Sequence, residues 1–370
     1  MIKNPKILLV NFYANGDCLY ATTIARQIKT DYKDCHLTWA ISSKCKDIIL
    51  NNPDVDDVIV VEYIHCDDNA ELELLKQKTD VAGYDNVFIT HPSYIKNMAL
   101  FDGSVRSNVF RAYPHAVTVP VEPVLVLTDE EKLKCKTFAE KHVLNSFKNV
   151  ILFEFAPQSG QLKISKEEAI SISEEIVSDK ETAIILSSAN KINHPDKAII
   201  DGSSLSLRET AGITHHCTML LGCSSGITWI TTSSAAKKLP MVQMLDDKTT
   251  WFNPVSGDFK RFGLSLNELI ELYDFDRAKV VDCVKMALSD FQLSRNKYHQ
   301  QYGLYFNTTP KIVYELLCRL RFGMIVKHIT VNVQEYGHNF SFYKQVLVGI
   351  FTAPFILIRN TFKKRVLKYF

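Results

Sequence analysis

An apolar segment close to the N-terminus most strongly limits what this chain can fold into. Residues 6–12 read KILLVNF, a nearly continuous apolar run. A strand buried on both faces has this pattern, and such strands occur in parallel sheets covered by helices. Further predicted strands (36–41, 58–62 and 86–90) alternate with predicted helices (19–32, 44–51 and 70–78). The N-terminal part is therefore predicted to be an α/β domain with a parallel sheet.

The alternation stops between residues 114 and 130 and then starts again. Pro114, Pro120 and Pro123 favour an extended connection. A helix is predicted over 129–144, followed by strands at 149–155, 182–186, 198–201, 219–222 and 241–245 and helices at 165–178, 207–215 and 226–237. A chain of 370 residues also exceeds the usual size of one core. We predict two doubly wound domains, 1–120 and 148–318, joined by a linker and helix, 121–147, with ligands in the cleft between them.

The cysteines and the charge narrow the class of protein. The nine cysteines are odd in number and none forms a CxxC pair, which favours reduced, buried thiols and a cytoplasmic location. A net charge of +2 gives no indication of nucleic-acid binding. The histidines show no metal-binding spacing, so neither a metal nor a cofactor is expected.

The residues that follow the first strand form the first candidate site. Asn15, Gly16 and Asp17 stand where a parallel strand meets a helix N-terminus. Glycine there allows a positive φ and a close approach to a ligand. Asp17 has two possible roles: a helix cap, or a carboxylate in the cleft that removes the proton from an attacking hydroxyl group.

The C-terminal tail, residues 319–370, has an unusual charge. It contains nine lysines and arginines against one acid, Glu335. Its longest apolar run, 346–358, has 13 residues, too few to cross a bilayer, which takes about 20. This composition favours a helical tail that binds an anionic membrane surface, and packing on the protein is the alternative.

The first 60 residues together with later motifs resemble the ADP-heptose:lipopolysaccharide heptosyltransferases. The shared pattern consists of the first strand, the Gly-Asp loop, the LTW strand at 37–39, the segment NPDVDDVI at 52–59, SLRETA at 206–211, LGCSSGITW at 221–229 and LPMV at 239–242. The resemblance covers roughly residues 5–250. It implies a GT-B fold and an inverting, metal-independent transfer of a sugar from a nucleotide-sugar donor to a glycan or glycolipid acceptor, such as lipopolysaccharide on the inner face of the inner membrane.

The resemblance also implies roles for individual residues. Asp17 matches the proposed base, in the loop with Asn15 and Gly16 on the acceptor side. His91 follows the fourth predicted strand and, from that position, is a further candidate for the acceptor side. The residues implied to contact the donor are Ser159, Lys163, Asn190, Ser224, Ser225, Gly226 and Trp229.

Two of these positions depart from the family pattern. Ser224 stands where the family has Asp, and Trp229 where it has His, which suggests a different donor sugar or base. Two other functions therefore stay open: a non-catalytic protein of the same fold that binds a sugar nucleotide or acts as a scaffold, and a sugar-nucleotide epimerase.

Overall fold

The computed structural model describes residues 4–62, 81–155, 162, 164–250, 252 and 254–366, with side chains as far as residue 355. The helix predicted over 70–78 lies outside the described residues, as do Ser159 and Lys163.

The first sheet is built around the N-terminal apolar run. Its four described strands, all parallel, are β1 (Lys6–Val10), β2 (His36–Ser42), β3 (Asp57–Val61) and β4 (Asn86–Ile89), in the order β3-β2-β1-β4. In β1, the side chains from Ile7 to Val10 are fully buried. Leu9 lies opposite Trp39 on one neighbouring strand and Phe88 on the other. The continuous apolar pattern therefore reflects a strand covered on both faces, as predicted.

The second sheet has six described strands and is again parallel throughout. They are β5 (Asn149–Glu154), β6 (Thr182–Ser187), β7 (Ile199–Asp201), β8 (Met219–Gly222), β9 (Met241–Leu245) and β10 (Leu269–Tyr273), in the order β10-β9-β8-β5-β6-β7. β10 is not predicted from the sequence. It reads LIELY, and the buried Glu271 in its centre interrupts the apolar run that would mark a strand. The two parallel sheets confirm the predicted fold class.

The described helices connect the strands and continue beyond them. They are α1 (Asn15–Asp31), α2 (Ile95–Met98), α3 (Val105–Arg111), α4 (Asp129–Lys141), α5 (Lys166–Ile176), α6 (Leu207–Ile213), α7 (Gly226–Ile230), α8 (Val255–Arg261), α9 (Arg277–Ser289), α10 (Phe291–Tyr298), α11 (Thr309–Cys318), α12 (Phe322–Tyr336) and α13 (Phe340–Val366).

The helix predicted over 226–237 is much shorter than expected. α7 ends at Ile230 because hydroxyl groups take the carbonyls that would continue it. Thr231, Thr232 and Ser233 donate to the carbonyls of Thr228, Trp229 and Ile230, at 2.7, 2.6 and 2.6 Å. Serine and threonine compete with the helical backbone in this way, and a run of three ends the helix.

The C-terminal helices pack against the first domain. Ile312, Leu316 and Ile325 form a small core with Phe101. The Asn332 amide donates to the Phe101 carbonyl at 3.0 Å. Much of the predicted tail, from Phe322 through the first half of α13, is thus part of the folded protein. Within the described residues, no helix is long and apolar enough to span a membrane.

The two domains and the linker meet at the buried side chain of Arg208. Its guanidinium donates to both carboxylate oxygens of Glu131, at 2.6 and 2.8 Å, and to the carbonyl of Val126 in the linker. It also donates to the carbonyls of Asp47 and Leu50 in the first domain, at 3.0 and 3.3 Å. The pKa of Glu131 lies below its usual value. Burial raises this pKa, but hydrogen bonds lower it by more, and the largest of these contributions comes from Arg208. Arg208 therefore joins α6 to the linker and to the first domain.

Arg208→Ala is expected to lower the free energy of unfolding by roughly 3–5 kcal/mol, because it leaves the Glu131 carboxylate without its cation. Chemical denaturation measures the loss. Lys132→Ala removes an exposed ion pair with Asp129 and serves as the control, with an expected loss below about 1 kcal/mol. Equal, small losses in both variants would show that Arg208 does not hold the domains together.

Candidate functional site

A cavity of about 360 Å³ lies between the two domains. The first domain contributes one wall, made of Asn15, Lys44, Cys45, Asp47, Ile48 and Leu50. The opposite wall consists of Glu131 from α4 and Ser206, Leu207, Arg208 and Glu209 from the start of α6. Charged side chains of both signs line it together with apolar ones such as Ile48, Leu50 and Leu207. Of the residues that the sequence predicted, Asn15 lines this cavity.

Asp17 lies in the first turn of α1, close to the cavity wall. Its carboxylate accepts the backbone N–H of Ala14 at 3.2 Å, so it does cap the helix. The side chain is half-buried, and Asn15, two residues before it, lines the cavity. Gly16 is helical, so the positive φ expected there is wrong. A side chain at Gly16 would meet nothing within 4 Å, so there is open space beside the start of α1.

His91 lies beneath the segment that leads into α1. Its buried ring packs edge-on against Tyr13 and Phe12, with ring centres 4.8 and 5.9 Å apart. Its carbonyl accepts the side-chain amide of Asn97 at 2.8 Å. His91 is thus a buried side chain that packs against the Tyr13 ring.

In the second domain, Ser224, Ser225 and Gly226 form the turn between β8 and α7. Ser224 has a positive φ of 55°, and its N–H donates to the Gln243 side chain at 2.7 Å. Both serines are buried, and Gly226 has open space around it. The side chain of Gln243, from β9, therefore fixes a backbone conformation that serine adopts rarely.

A buried carboxylate that the sequence did not single out lies under this turn. Glu154, the last residue of β5, accepts the Ser225 hydroxyl, the Thr228 hydroxyl at 2.8 Å and the Cys223 N–H at 3.4 Å. Burial raises the pKa of Glu154, while the Thr228 hydroxyl and the N–H groups of Cys223, Thr228 and Ile227 act in the opposite direction. The carboxylate thus occupies the N-terminal end of α7.

Trp229 is buried where the two domains touch. Its ring lies edge-on to Tyr20 of the first domain, with centres 5.5 Å apart. The Arg106 guanidinium lies 5.6 Å from the Trp229 ring and 4.8 Å from the Tyr20 ring. Trp229 therefore forms part of the interdomain contact. Asn190 is exposed in the loop after β6.

The Arg106 side chain is the centre of that contact and was missed by sequence analysis. It is 1% exposed, and its guanidinium is 3.3 Å from the Asp258 carboxylate of α8. The Ser104 hydroxyl also donates to Asp258. Burial raises the pKa of Asp258, and Arg106 lowers it. An isolated arginine in a sequence carries no signal that it will be buried against a second domain.

Among the described residues, no group of three or more His, Cys, Asp or Glu side chains is arranged to hold a metal ion.

Solved structures with a similar fold are known. A glycosyl transferase family 9 protein from Veillonella parvula DSM 2008 aligns over 88% of this chain and 98% of its own, with a TM-score of 0.55 and 14% identity. The ADP-heptose lps heptosyltransferase II of E. coli aligns over 78% of this chain and 99% of its own, with a TM-score of 0.54 and 15% identity. The chain has the GT-B fold. No protein-family model and no curated protein sequence matches it.

Arg106→Met is expected to cost more stability at pH 7 than at pH 5. Without its cation, the buried Asp258 holds its proton more tightly in the folded than in the unfolded state. In this variant, the protonated Asp258 stabilises the folded state only at low pH. That contribution to the free energy of unfolding is lost as pH rises above the pKa of an aspartate in the unfolded chain, about 4. We expect a loss of roughly 3 kcal/mol at pH 7, measured by denaturation. Adding Asp258→Asn should recover part of it at pH 7, whereas a pH-independent loss without recovery would contradict this account.

Proposed function

We propose that the protein is a glycosyltransferase that moves a sugar from a nucleotide-sugar donor to an acceptor hydroxyl in the interdomain cleft. The observation that carries this proposal is the position of Asp17. Its half-buried carboxylate stands in the first turn of α1, two residues after Asn15, which lines the cavity between the two domains of a GT-B fold. The E. coli relative of this fold is, by its name, an ADP-heptose transferase.

The proposed reaction is an inverting displacement that needs no metal ion. The acceptor oxygen attacks the anomeric carbon from the face opposite the nucleotide. The bond from that carbon to the diphosphate breaks, and the nucleoside diphosphate leaves. Asp17 takes the proton of the attacking hydroxyl, which is the work of a general base. Lys163, known here from the sequence alone, is proposed to balance the charge of the diphosphate.

The proposed donor sugar is a heptose or a related sugar, and the proposed acceptor is a bacterial surface glycan or lipopolysaccharide-type glycolipid. Such an acceptor would be elongated on the cytoplasmic face of the inner membrane. The C-terminal helices would then bring the cleft close to its substrate.

Exposed apolar residues on the outer surface of these helices are the observation that supports the membrane part of the proposal. In α13, Leu347, Phe351 and Phe355 follow one another at four-residue spacing on one side of the helix. Phe351 and Phe355 are 68% and 74% exposed, whereas Phe342 and Val346 of the same helix are buried. The sequence continues with Lys363, Lys364 and Arg365 in the last turns of α13. An exposed apolar stripe that is followed in the sequence by basic residues is suited to an anionic bilayer surface.

Asp17→Asn is expected to lower the transfer rate by about 10²–10⁴-fold with little change in donor affinity. Asparagine keeps the oxygen that accepts the Ala14 N–H but cannot take up a proton. Transfer to a glycolipid acceptor and donor binding are measured separately. Asp34→Asn, in an exposed turn, is the control and should leave transfer unchanged.

Two outcomes would contradict the proposal. Near-normal transfer by Asp17→Asn would remove Asp17 from the role of base. Conversion of the donor in the absence of any acceptor would favour the epimerase function, and donor binding without turnover would favour a scaffold.

Flotation with vesicles tests the membrane surface. The full chain should bind vesicles that contain phosphatidylglycerol at low salt and be released near 1 M salt, where the Debye length falls to about 3 Å. The double variant Phe351→Ser, Phe355→Ser should bind less, as should the triple variant Lys363→Glu, Lys364→Glu, Arg365→Glu. The control replaces three exposed lysines of α4 by glutamate (Lys132→Glu, Lys136→Glu, Lys141→Glu) and should have no effect. Absence of binding at low salt would exclude this function for the helices.

A further inference from the structure

Two cysteines of the first domain lie close together near the wall of the interdomain cavity. Cys45 follows β2 and lines the cavity together with Asn15. Cys18 stands three residues after Asn15 in α1, and residues at this spacing lie on the same face of a helix. Both cysteines belong to one buried cluster, and α1 packs against the short helical turn Lys46–Ile49 that follows Cys45. The fold thus brings the two thiols to the same side of the cleft.

The side chains of the two cysteines also interact directly. The Cys18 and Cys45 thiols form a hydrogen bond with each other, and the Cys18 thiol also donates to the Asn11 carbonyl at 3.6 Å. Both cysteines are free thiols. Two thiols in contact are the arrangement from which an intramolecular disulfide forms by exchange with a second disulfide.

The two thiols differ in acidity and in access. The hydrogen bond from Cys18 lowers the pKa of the Cys45 thiol against the effect of burial. The Ser42 hydroxyl and the Lys44 charge also lower this pKa. Burial raises the pKa of the Cys18 thiol well above its usual value. Because the thiolate is the nucleophile in exchange, Cys45 is suited to attack a disulfide that enters the cavity, with Cys18 behind it.

We propose that Cys45 and Cys18 form a thiol–disulfide exchange site for small-molecule disulfides. The Cys45 thiolate attacks one sulfur of the small disulfide, a mixed disulfide forms at Cys45, and the first small thiolate leaves. Cys18 then attacks the Cys45 sulfur, which forms the Cys18–Cys45 bond and releases the second small thiolate. The two protons of the protein thiols go to the released thiolates. Two protein thiols are oxidised, and one small disulfide is reduced to two thiols.

The new bond would join two parts of the proposed active site. Cys18 directly follows Asp17, and Cys45 belongs to the segment after β2 that lines the cavity. A reducing compartment keeps the pair as thiols, so the bond forms only when small disulfides accumulate. The inference does not depend on the transfer reaction, because exchange at these thiols needs neither donor nor acceptor.

Peptide mass spectrometry of the folded chain tests the site, with hydroxyethyl disulfide as a small, uncharged probe. Every sample carries Cys66→Ser and Cys318→Ser, because Cys66 lies outside the described residues and Cys318 is the described cysteine that is not buried. The thiols at 18 and 45 should disappear together and yield one linked pair of peptides, which dithiothreitol separates again. The thiol at 45 should react at least about tenfold faster than Cys35, since one unit of pKa changes the thiolate fraction tenfold.

Cys35 is the matched control for burial. It is 5% exposed and Cys45 is 4% exposed, but Cys35 precedes β2, at the opposite end of that strand, and does not line the cavity. Burial raises the pKa of the Cys35 thiol. Cys35→Ser should therefore leave the reaction of the other two thiols unchanged.

Two further variants separate attack from the second step. Cys18→Ser should stop the reaction at a mixed disulfide on Cys45, whereas Cys45→Ser should leave Cys18 a free thiol. Equal rates at Cys45 and Cys35 would overturn the proposal, because buried thiols that react alike do so through unfolding. The absence of reaction at Cys45 would overturn it as well, as would a mixed disulfide that persists on Cys45 while Cys18 is present.

Discussion

The buried guanidinium of Arg208 determines how the two domains meet. It reaches Glu131 of α4, carbonyls of the first domain and the carbonyl of Val126 in the linker. A buried arginine is costly unless its donors are satisfied, and here they are satisfied only when these three parts of the chain lie together. Arg208 and Glu131 also line the interdomain cavity. The hydrogen bonds that fix the domain arrangement therefore also fix one wall of the cleft.

Arg106 forms a second contact between the domains. It binds Asp258 of the second domain and packs against Tyr20 and Trp229. The Arg106–Asp258 ion pair and the contact of Tyr20 with Trp229 both join the first domain to the second and so oppose a relative movement of the two. Tyr20 lies one helical turn from Asp17 in α1. The position of Asp17 relative to the second domain thus depends on a contact made by Trp229, at the position where the resembling family has a histidine.

The architecture was predictable because its signals are local. Buried strands such as β1 read as apolar runs, and helices with Ser or Thr caps begin where the sequence indicated, as at Thr128 and Ser206. Two predictions were wrong because of what single side chains bind. β10 was missed because Glu271, whose partner Ser256 precedes the strand, interrupts its apolar run. The helix predicted over 226–237 ends early because the Thr231, Thr232 and Ser233 hydroxyls bind its carbonyls.

The candidate site was predictable in position and less so in chemistry. The sequence located the start of α1 and the turn Ser224–Gly226, because both follow buried strands. It gave no indication that Glu154, 70 residues before Ser224, would lie under that turn. Parallel neighbours in a sheet, here β5 and β8, are far apart in the chain, and the order of strands decides which side chains meet.

The C-terminal helices link the protein surface to the interdomain contact. On their inner side, the Tyr336 hydroxyl donates to the Asp102 carbonyl at 2.6 Å, and Glu335 pairs with Arg111 at the end of α3. α3 carries Arg106, whose partner Asp258 belongs to the second domain. On their outer side, the same helices expose apolar residues, among them Phe351. The surface proposed to meet a membrane is therefore connected, through one short helix, to the residues that hold the cleft together.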